Sequence, residues 1–334
     1  MNMSIRSIPE YRYPYGWFQI GWSHDLQPGE VKALKYFGED LVLWRGESGK
    51  TFLQDAFCLH IGAHRGIQGS VVGEDLQCPV HGWLWNGEGR NVHIPFSRVD
   101  CLAGLQARTY PVVEWYGMIM AWWHWDAVEP PFELPEMPEL ETNEWYPMHP
   151  HSSVVHRIKA HPQNVVENVC DPFHIPFVHG AKEPPRVERL DLQADGFDAE
   201  LVIPYGAGKK STRLTPDGPV DAHVKLHNYC LALGTLRWEF PYPTLQISSM
   251  TPVDEEHLDY FFQQTSKRVP GTEGDEPVGM ALEMLKLQQA VIQQDFFLWV
   301  HMKNLSAPAF APEEAENYTA FREWAWHFYP EENH

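Results

Sequence analysis

The chain is poor in positive charge: 25 Lys and Arg stand against 45 Asp and Glu, a formal net charge of −20 over 334 residues. A surface of that sign repels phosphate backbones and anionic lipid, so nucleic acid is excluded as an expected partner. Cysteine is scarce too. Cys58, Cys78, Cys101, Cys170 and Cys230 are too few and too unevenly spaced for a secreted disulfide framework, which leaves metal binding or burial and favours a reducing compartment. No window approaches the roughly 20 apolar residues that span a bilayer. The start, MNMSIRSIPEYRYPYGW, has no uninterrupted apolar stretch of the signal-peptide kind. The expectation is a soluble, cytoplasmic protein with no membrane span. Internal repeats, low-complexity tracts and a Gly-x-Gly-x2-Gly nucleotide fingerprint are also missing. What the chain has in quantity is core-forming material: 43% hydrophobic and 13% aromatic residues, including 14 Trp, enough for two domains.

Between Trp17 and Trp125 the segments WFQIGW, VKALKYF, DLVLWR, KTFLQDAF and GMIMAWWHW read as strands separated by turn signals such as GESGK and NGEGR, predicting a small all-β domain. The Pro- and Glu-rich stretch 128–139 is an extended connector, which places the boundary between domains 1–130 and 131–334. Beyond it, residues near 161–175 suit a helix. Stretches near 197–203, 221–233, 236–250 and 257–265 suit strands. Leu282, Leu285, Val291, Ile292 and Leu298 mark a helix over 276–302, and a last helix over 313–328 ends at Tyr329-Pro330.

The β domain contains Cys58-Leu-His60, seventeen residues, then Cys78-Pro-Val-His81. In a chain of this composition such a two-by-two pattern arises by chance about once per thousand sequences. Cysteine and histidine alone also suit a structural zinc site. Structural zinc, however, takes paired thiolates from one knuckle, whereas each loop here offers one Cys and one His. That suits a [2Fe–2S] cluster with two thiolates on one iron and two imidazoles on the other. Gly82 allows close backbone approach, and Trp83 and Trp85 supply dry surroundings. His64, four residues past His60, reads as a surface or supporting imidazole, because the four ligands are already supplied.

The second domain contains Glu167-Asn168-Val-Cys-Asp171-Pro-Phe-His174-Ile-Pro-Phe-Val-His179. Asp171 and His174 share a helical face. His179 is too far round for a continuous α-helix, but Pro176 disfavours α geometry at Ile175 and is expected to break the turn so that both imidazoles converge. Two histidines and one carboxylate form the facial triad that holds non-haem Fe(II) with open positions. The best candidate carboxylate is Asp295, a lone acid among aromatics with no Lys or Arg within four residues; Glu167 is the next. The histidines of His149-Pro-His151, His156 and His161 lack a matching carboxylate and read as linker-surface residues.

Cys-x-His-x17-Cys-x2-His followed by Gly-Trp is the Rieske iron–sulfur motif, and with the His174/His179 segment the whole chain resembles the catalytic α subunit of Rieske non-haem iron oxygenases. The segment Asp295–Lys303 with Tyr318–Trp324 and Phe328-Tyr329 is similar to the branch containing 3-ketosteroid 9α-hydroxylase oxygenases and cholesterol desaturases. The resemblance implies an α+β chain, with an all-β Rieske domain beside a catalytic domain built on a curved antiparallel sheet with flanking helices. It implies a [2Fe–2S] cluster and a mononuclear Fe(II), electrons from a separate NAD(P)H-dependent reductase or ferredoxin, and hydroxylation of a small apolar, steroid or aromatic substrate with O2, monooxygenation ahead of dioxygenation. It also implies a homotrimer in which Asp171 links the two iron sites by accepting a hydrogen bond from a neighbour's His81, with Asn168 near the iron. Phe173, Phe177, Val178, Met250, Phe296 and Phe297 are candidate pocket walls. The competing readings are a Rieske electron carrier with a non-catalytic C-terminal half and a zinc-stabilised binding module.

Overall fold

The computed structural model describes residues 6–9, 13–148, 152–205 and 218–330. Two compact units divide the chain: one comprises Trp17–Leu134 with Thr251–Asp254, and the other holds the remainder. The described residues before Trp17 therefore group with the second unit rather than with the strands that follow them. Their backbone is tied there: Tyr15 N–H donates to Phe328 O at 2.9 Å, and Trp326 Nε1 donates to Ser7 O at 3.0 Å.

The first unit is all β: β1 (Gly16–Trp22), β2 (Val31–Tyr36), β3 (Glu39–Arg45), β4 (Thr51–Asp55), β5 (Ser70–Val72), β6 (Asp75–Gln77), β7 (Leu84–Trp85), β8 (Asn91–His93), β9 (Thr109–Tyr110), β10 (Val112–Trp115) and β11 (Met118–Trp123). They form three small antiparallel sheets in the orders β1-β11-β10, β2-β3-β4-β9 and β5-β6-β7-β8. The unbroken apolar run Met118–Trp123 is buried throughout, as a strand covered on both faces requires. Two-residue turns join β2 to β3 and β10 to β11, and in both the pair is aromatic-Gly with positive φ: Phe37 and Gly38, then Tyr116 and Gly117. Positive φ at both positions matches the strand twist. Phe37 tolerates it because its ring is buried and stacked on Trp123 at 5.1 Å.

The second unit is a seven-stranded antiparallel sheet with helices: β12 (Val154–Lys159), α1 (Pro162–Glu167), β13 (Arg186–Leu192), β14 (Gly196–Tyr205), β15 (Val220–Tyr229), β16 (Leu233–Trp238), β17 (Thr244–Pro252), β18 (His257–Ser266), α2 (Gly279–His301) and α3 (Pro312–Ala325). The order is β12-β18-β17-β16-β15-β14-β13. The edge strand β13 begins Arg-Val-Glu-Arg, all exposed, and edge charges oppose unwanted pairing. The interior strand β18 is almost wholly buried. Ala281, Met284, Leu285, Gln288, Asp295 and Trp299 form the buried stripe of α2 at helical spacing. The sequence reading missed β12 and β13, carried β15 through the turn at Cys230–Ala232, and ran β16 into β17, where residues 239–243 intervene. His156 and His161 are not linker residues. His156 lies in β12 against the Phe296 ring, and His161 caps α1 by accepting from Gln163 N–H at 3.2 Å. The stretch 149–151 lies outside the described residues. Among them no helix is long and apolar enough to cross a membrane.

Candidate active site and metal centres

The first centre grows from two loops of the same design. In one, Gly62 N–H donates to Cys58 O at 2.9 Å and Cys58 N–H to Ala63 O at 2.8 Å. In the other, Gly82 N–H donates to Cys78 O at 3.0 Å and Cys78 N–H to Trp83 O at 2.9 Å. Both turns need φ > 0, supplied by Gly62 at +80° and Gly82 at +71°. Each loop thus turns its thiol inward. Cys58 and Cys78 are buried in a cluster with Trp83, Trp85, Ile94 and Ala107, and they are free thiols. Burial pushes the Cys58 thiol up, with the nearby Cys78 adding to it. The imidazoles stay near the surface, their ring centroids 4.7 Å apart, with His60 stacked on Trp83 at 4.4 Å. His81 Nδ1 is buried with no hydrogen-bond partner. Two adjacent unbridged thiols and a pair of touching imidazoles, one with an orphaned nitrogen, fit a two-iron cluster with mixed ligands. His64 is not part of the set; its Nδ1 accepts from Gly66 N–H at 3.1 Å. Arg65, fully buried, lies over Trp85 at 5.1 Å, and burial lowers its pKa to about 10.

The second centre is assembled across the chain. His174, His179 and Asp295 bring one ligand atom each to within 4.8 Å of one another. The expected break at Pro176 does not occur. Instead Ile175–His179 is a single π-helical turn. Its i→i+5 repeat stacks residues five apart, and Pro176 at the start of that turn has no N–H to lose. The two rings lie 5.3 Å apart. Gly180, at φ +73°, then stops the turn.

Each imidazole is held by its outer nitrogen. His174 Nδ1 lies 2.5 Å from Asp171 O and His179 Nδ1 lies 3.0 Å from Gln294 Oε1, contacts that assign the proton to Nδ1 and leave Nε2 as the lone-pair nitrogen. Both Nε2 atoms face Asp295 Oδ1, at 3.9 Å and 3.0 Å. Asp295 is 5% exposed, and Oδ1 makes no hydrogen bond despite these approaches, because the geometry is wrong for one. A buried carboxylate oxygen and two lone pairs aimed at one point fit a divalent cation. Glu167, the alternative carboxylate, is unavailable: Arg322 Nε and Nη2 reach its oxygens at 2.5 and 3.0 Å, and the pair is buried.

Asp171 Oδ1 accepts from the N–H of Phe173 at 2.9 Å and of His174 at 3.2 Å. Burial works to raise its pKa, but His174 and these N–H groups hold it below the ordinary carboxylate value. Asn168 Nδ2 is 3.4 Å from His174 Nε2.

A cavity of about 360 Å³ opens on this centre. Apolar side chains dominate it, among them Leu201, Val224, Leu236, Trp238, Met250 and Val291. Of the expected walls only Met250 lines it. Phe177 and Phe297 are 90% and 69% exposed and Phe173 is exposed too, Val178 lies outside the lining, and Phe296 packs against Tyr260 and Trp299. The reason is rotation: with Asp295 inward, each following residue of α2 turns about 100° away. The sequence reading missed Gln294, Gln288, Tyr260 and Asn228. Only Gln294, directly beside Asp295, carried a local signal.

Residues 121–329, well over half of the chain, match the family model described as the 3-ketosteroid 9α-hydroxylase C-terminal domain. The chain belongs to this family. Ahead of that domain, residues 16–111 match the Rieske [2Fe–2S] domain, so this hydroxylase-family chain carries its Cys/His loops in a Rieske unit. Among its relatives, a cholesterol 7-desaturase from Xenopus laevis is 37% identical over half of this chain but only 36% of its own length. The oxygenase component of a 3-ketosteroid-9-alpha-monooxygenase from Rhodococcus rhodochrous is 26% identical over 95% of this chain and 84% of its own. Several of the curated relatives are thus matched over about a third of their length. In fold, the chain is similar to dicamba monooxygenase bound to dicamba, with a TM-score of 0.68, 19% identity, and 92% and 97% of the two chains covered. It is likewise similar to NdmA of Pseudomonas putida with caffeine, with a TM-score of 0.71, 18% identity, and 92% and 89% covered. The hydroxylase-family chain is therefore α+β, a Rieske β unit followed by a helix-flanked antiparallel sheet.

Proposed function

We propose that this chain is the terminal oxygenase component of a multi-component monooxygenase, using O2 and electrons from a separate reductase or ferredoxin to hydroxylate a small apolar, steroid-like substrate. The observation that carries this reading is the convergence of His174, His179 and Asp295 at the wall of an apolar cavity. Cys58, Cys78, His60 and His81 would hold the [2Fe–2S] cluster, and the triad a mononuclear Fe(II). When bound, these groups supply single electrons and O2 activation. The protein's own part is positioning. The Asp171 carbonyl and Gln294 fix the imidazole tautomers, Asn168 flanks the site, and the apolar walls keep water from the substrate. The relatives' names include a hydroxylating monooxygenase and a desaturase, and hydroxylation is the reading favoured here.

The working protein is a cytoplasmic homotrimer in this proposal, with units near 1–130 and 131–334. Asp171 Oδ1 is engaged by backbone N–H groups, and its other oxygen accepts from His81 of the partner subunit in a head-to-tail ring. Iron analysis and turnover test the reading. Three irons per chain and hydroxylated product with a reductase are expected, whereas two irons and no product would leave an electron carrier. Asp171→Asn should keep both metals but slow reduction of the mononuclear site by orders of magnitude. A monomer in sedimentation that turns over at full rate would end the trimer proposal.

A further inference from the structure

The Rieske unit keeps a cation in its interior without an acid to balance it. Arg65, five residues past His60, has none of its surface exposed. Its Nη1 donates to Gln54 Oε1 at 3.0 Å and its Nη2 to Asp55 O at 2.5 Å, while Nε is buried with no partner. Both acceptors are neutral. Among the described residues no carboxylate forms an ion pair with Arg65, and the Asp55 carboxylate instead accepts from the Tyr110 hydroxyl at 2.8 Å. The loop is closed around this residue. Arg65 N–H donates to Ala56 O at 2.7 Å, and a Cβ at Gly69 would stand 1.9 Å from the Arg65 carbonyl oxygen.

A buried charge is costly, and those that persist are paired or serve a metal centre. The surroundings of Arg65 point to the second case. Its guanidinium lies over the Trp85 ring, 5.1 Å from the centroid, and Trp85 packs in the same core cluster as the Cys58 and Cys78 thiols. Burial lowers the Arg65 pKa to about 10, which leaves it charged at neutral pH, and the groups that oppose burial are Cys58 first, then Cys78, then Asp55. The indole N–H groups of Trp83 and Trp85, in the same cluster, are also buried without partners. Burial raises the Cys58 thiol, and the Trp85 N–H works against that rise. This core therefore holds one full positive charge and two unmatched donors, a field suited to an anion.

We propose that Arg65 sets the reduction potential of the [2Fe–2S] centre, its buried guanidinium favouring the reduced cluster. The inference rests on the cluster reading of the Cys/His loops and adds the sign and the source of the tuning. Two ferric ions, two sulfides and two thiolates sum to a neutral centre. One electron from the reductase or ferredoxin turns one ferric ion ferrous, forms and breaks no bond, and leaves the centre with a net negative charge. A fixed cation in a medium of low dielectric stabilises that state over the neutral one, and salt in solution screens it little.

The test is a redox titration of the holoprotein at pH 7 with dithionite and mediator dyes, followed by the electron paramagnetic resonance signal of the reduced cluster. Arg65→Met and Arg65→Gln should each lower the equilibrium constant for one-electron reduction about tenfold or more, a fall of about 59 mV. Arg65→Lys, which keeps the charge, should stay within about threefold of wild type. A merely structural role moves the potential the other way or not at all, because loosening the loop admits water, which itself stabilises the reduced anion. Neutral variants within about threefold of wild type, or a lysine variant that falls as far as they do, overturn the proposal. Loss of the cluster from both neutral variants overturns it as well, since Arg65 would then build the loop rather than set its potential. Wild type with no Rieske-type signal sinks the cluster reading and this inference with it, whereas a normal signal whose potential ignores the charge at residue 65 sinks only the role of Arg65.

Discussion

The two candidate metal centres of this chain are built on opposite plans. In the Rieske unit the ligands come from two short loops, each closed on itself by backbone hydrogen bonds. The thiols lie in the core and the imidazoles near the surface, ringed by exposed Leu59, Ile61, Val80 and Phe96. In the catalytic unit the ligands come from a π turn and a helix more than a hundred residues apart, and the acid among them is almost wholly buried. The difference suits the two tasks proposed for them. A centre that passes electrons needs an accessible edge and a rigid, local frame, whereas a centre that reacts with O2 and substrate needs an enclosed cavity, which only packed elements can make.

That contrast is open to attack by mutation. The largest effect belongs to the Rieske loops: purified protein should be red-brown with a Rieske-type electron paramagnetic resonance signal when reduced, and His60→Ala or His81→Ala should abolish it entirely while the second centre still takes up iron. Zinc in those loops, in protein made with ample iron and sulfide, would break the comparison at its root. Next, Asp295→Ala should keep the cluster signal but lose mononuclear iron and product, one of three protein ligands being gone. Undiminished turnover would mean that another group supplies the carboxylate. Gln294→Leu should be milder, weakening mononuclear iron binding by about 10–100-fold because His179 loses the contact that fixes its tautomer, with Gln294→Glu restoring it.

Stability sharpens the same comparison between units. Arg322→Met strands the buried Glu167 carboxylate and should cost about 3–5 kcal/mol, read as a lower denaturation midpoint of the catalytic unit. The smallest effect is one of pH. Burial works to raise Glu139, but the Arg237 hydrogen bonds hold it below the ordinary carboxylate value. Its contribution is therefore full above the unfolded pKa of about 4.3 and lost as pH falls through the depressed folded value. Arg237→Met should flatten that part of the acid-denaturation curve.

Legibility followed range along the chain. The long runs Leu41–Trp44 and Met118–Trp123 read as strands because each carries its own pattern, but the two- and three-residue strands β5 to β9 have no periodicity to read. At the catalytic centre, proline chemistry argued for a broken helix at Pro176. The structure keeps the turn by widening it, an option that local propensity does not rank. The aromatic residues next to ligands were natural wall candidates, yet neighbours in a helix point in different directions, and the true walls come jointly from the sheet, from α2 and from the segment 165–185.

The sequence by itself determined the Rieske match and the local pairs, Cys58 with His60, Cys78 with His81 and Asp171 with His174, because each pair is fixed by two or three residues of backbone. Asp295 could be picked out as a carboxylate without a nearby cation, but not placed. Only the tertiary structure decided that Arg322, 155 residues away, occupies Glu167 and that Gln294, 115 residues from His179, orients that imidazole. Such meetings depend on which faces of distant elements bury together, and burial is cooperative over the whole unit, so no short window of residues encodes it.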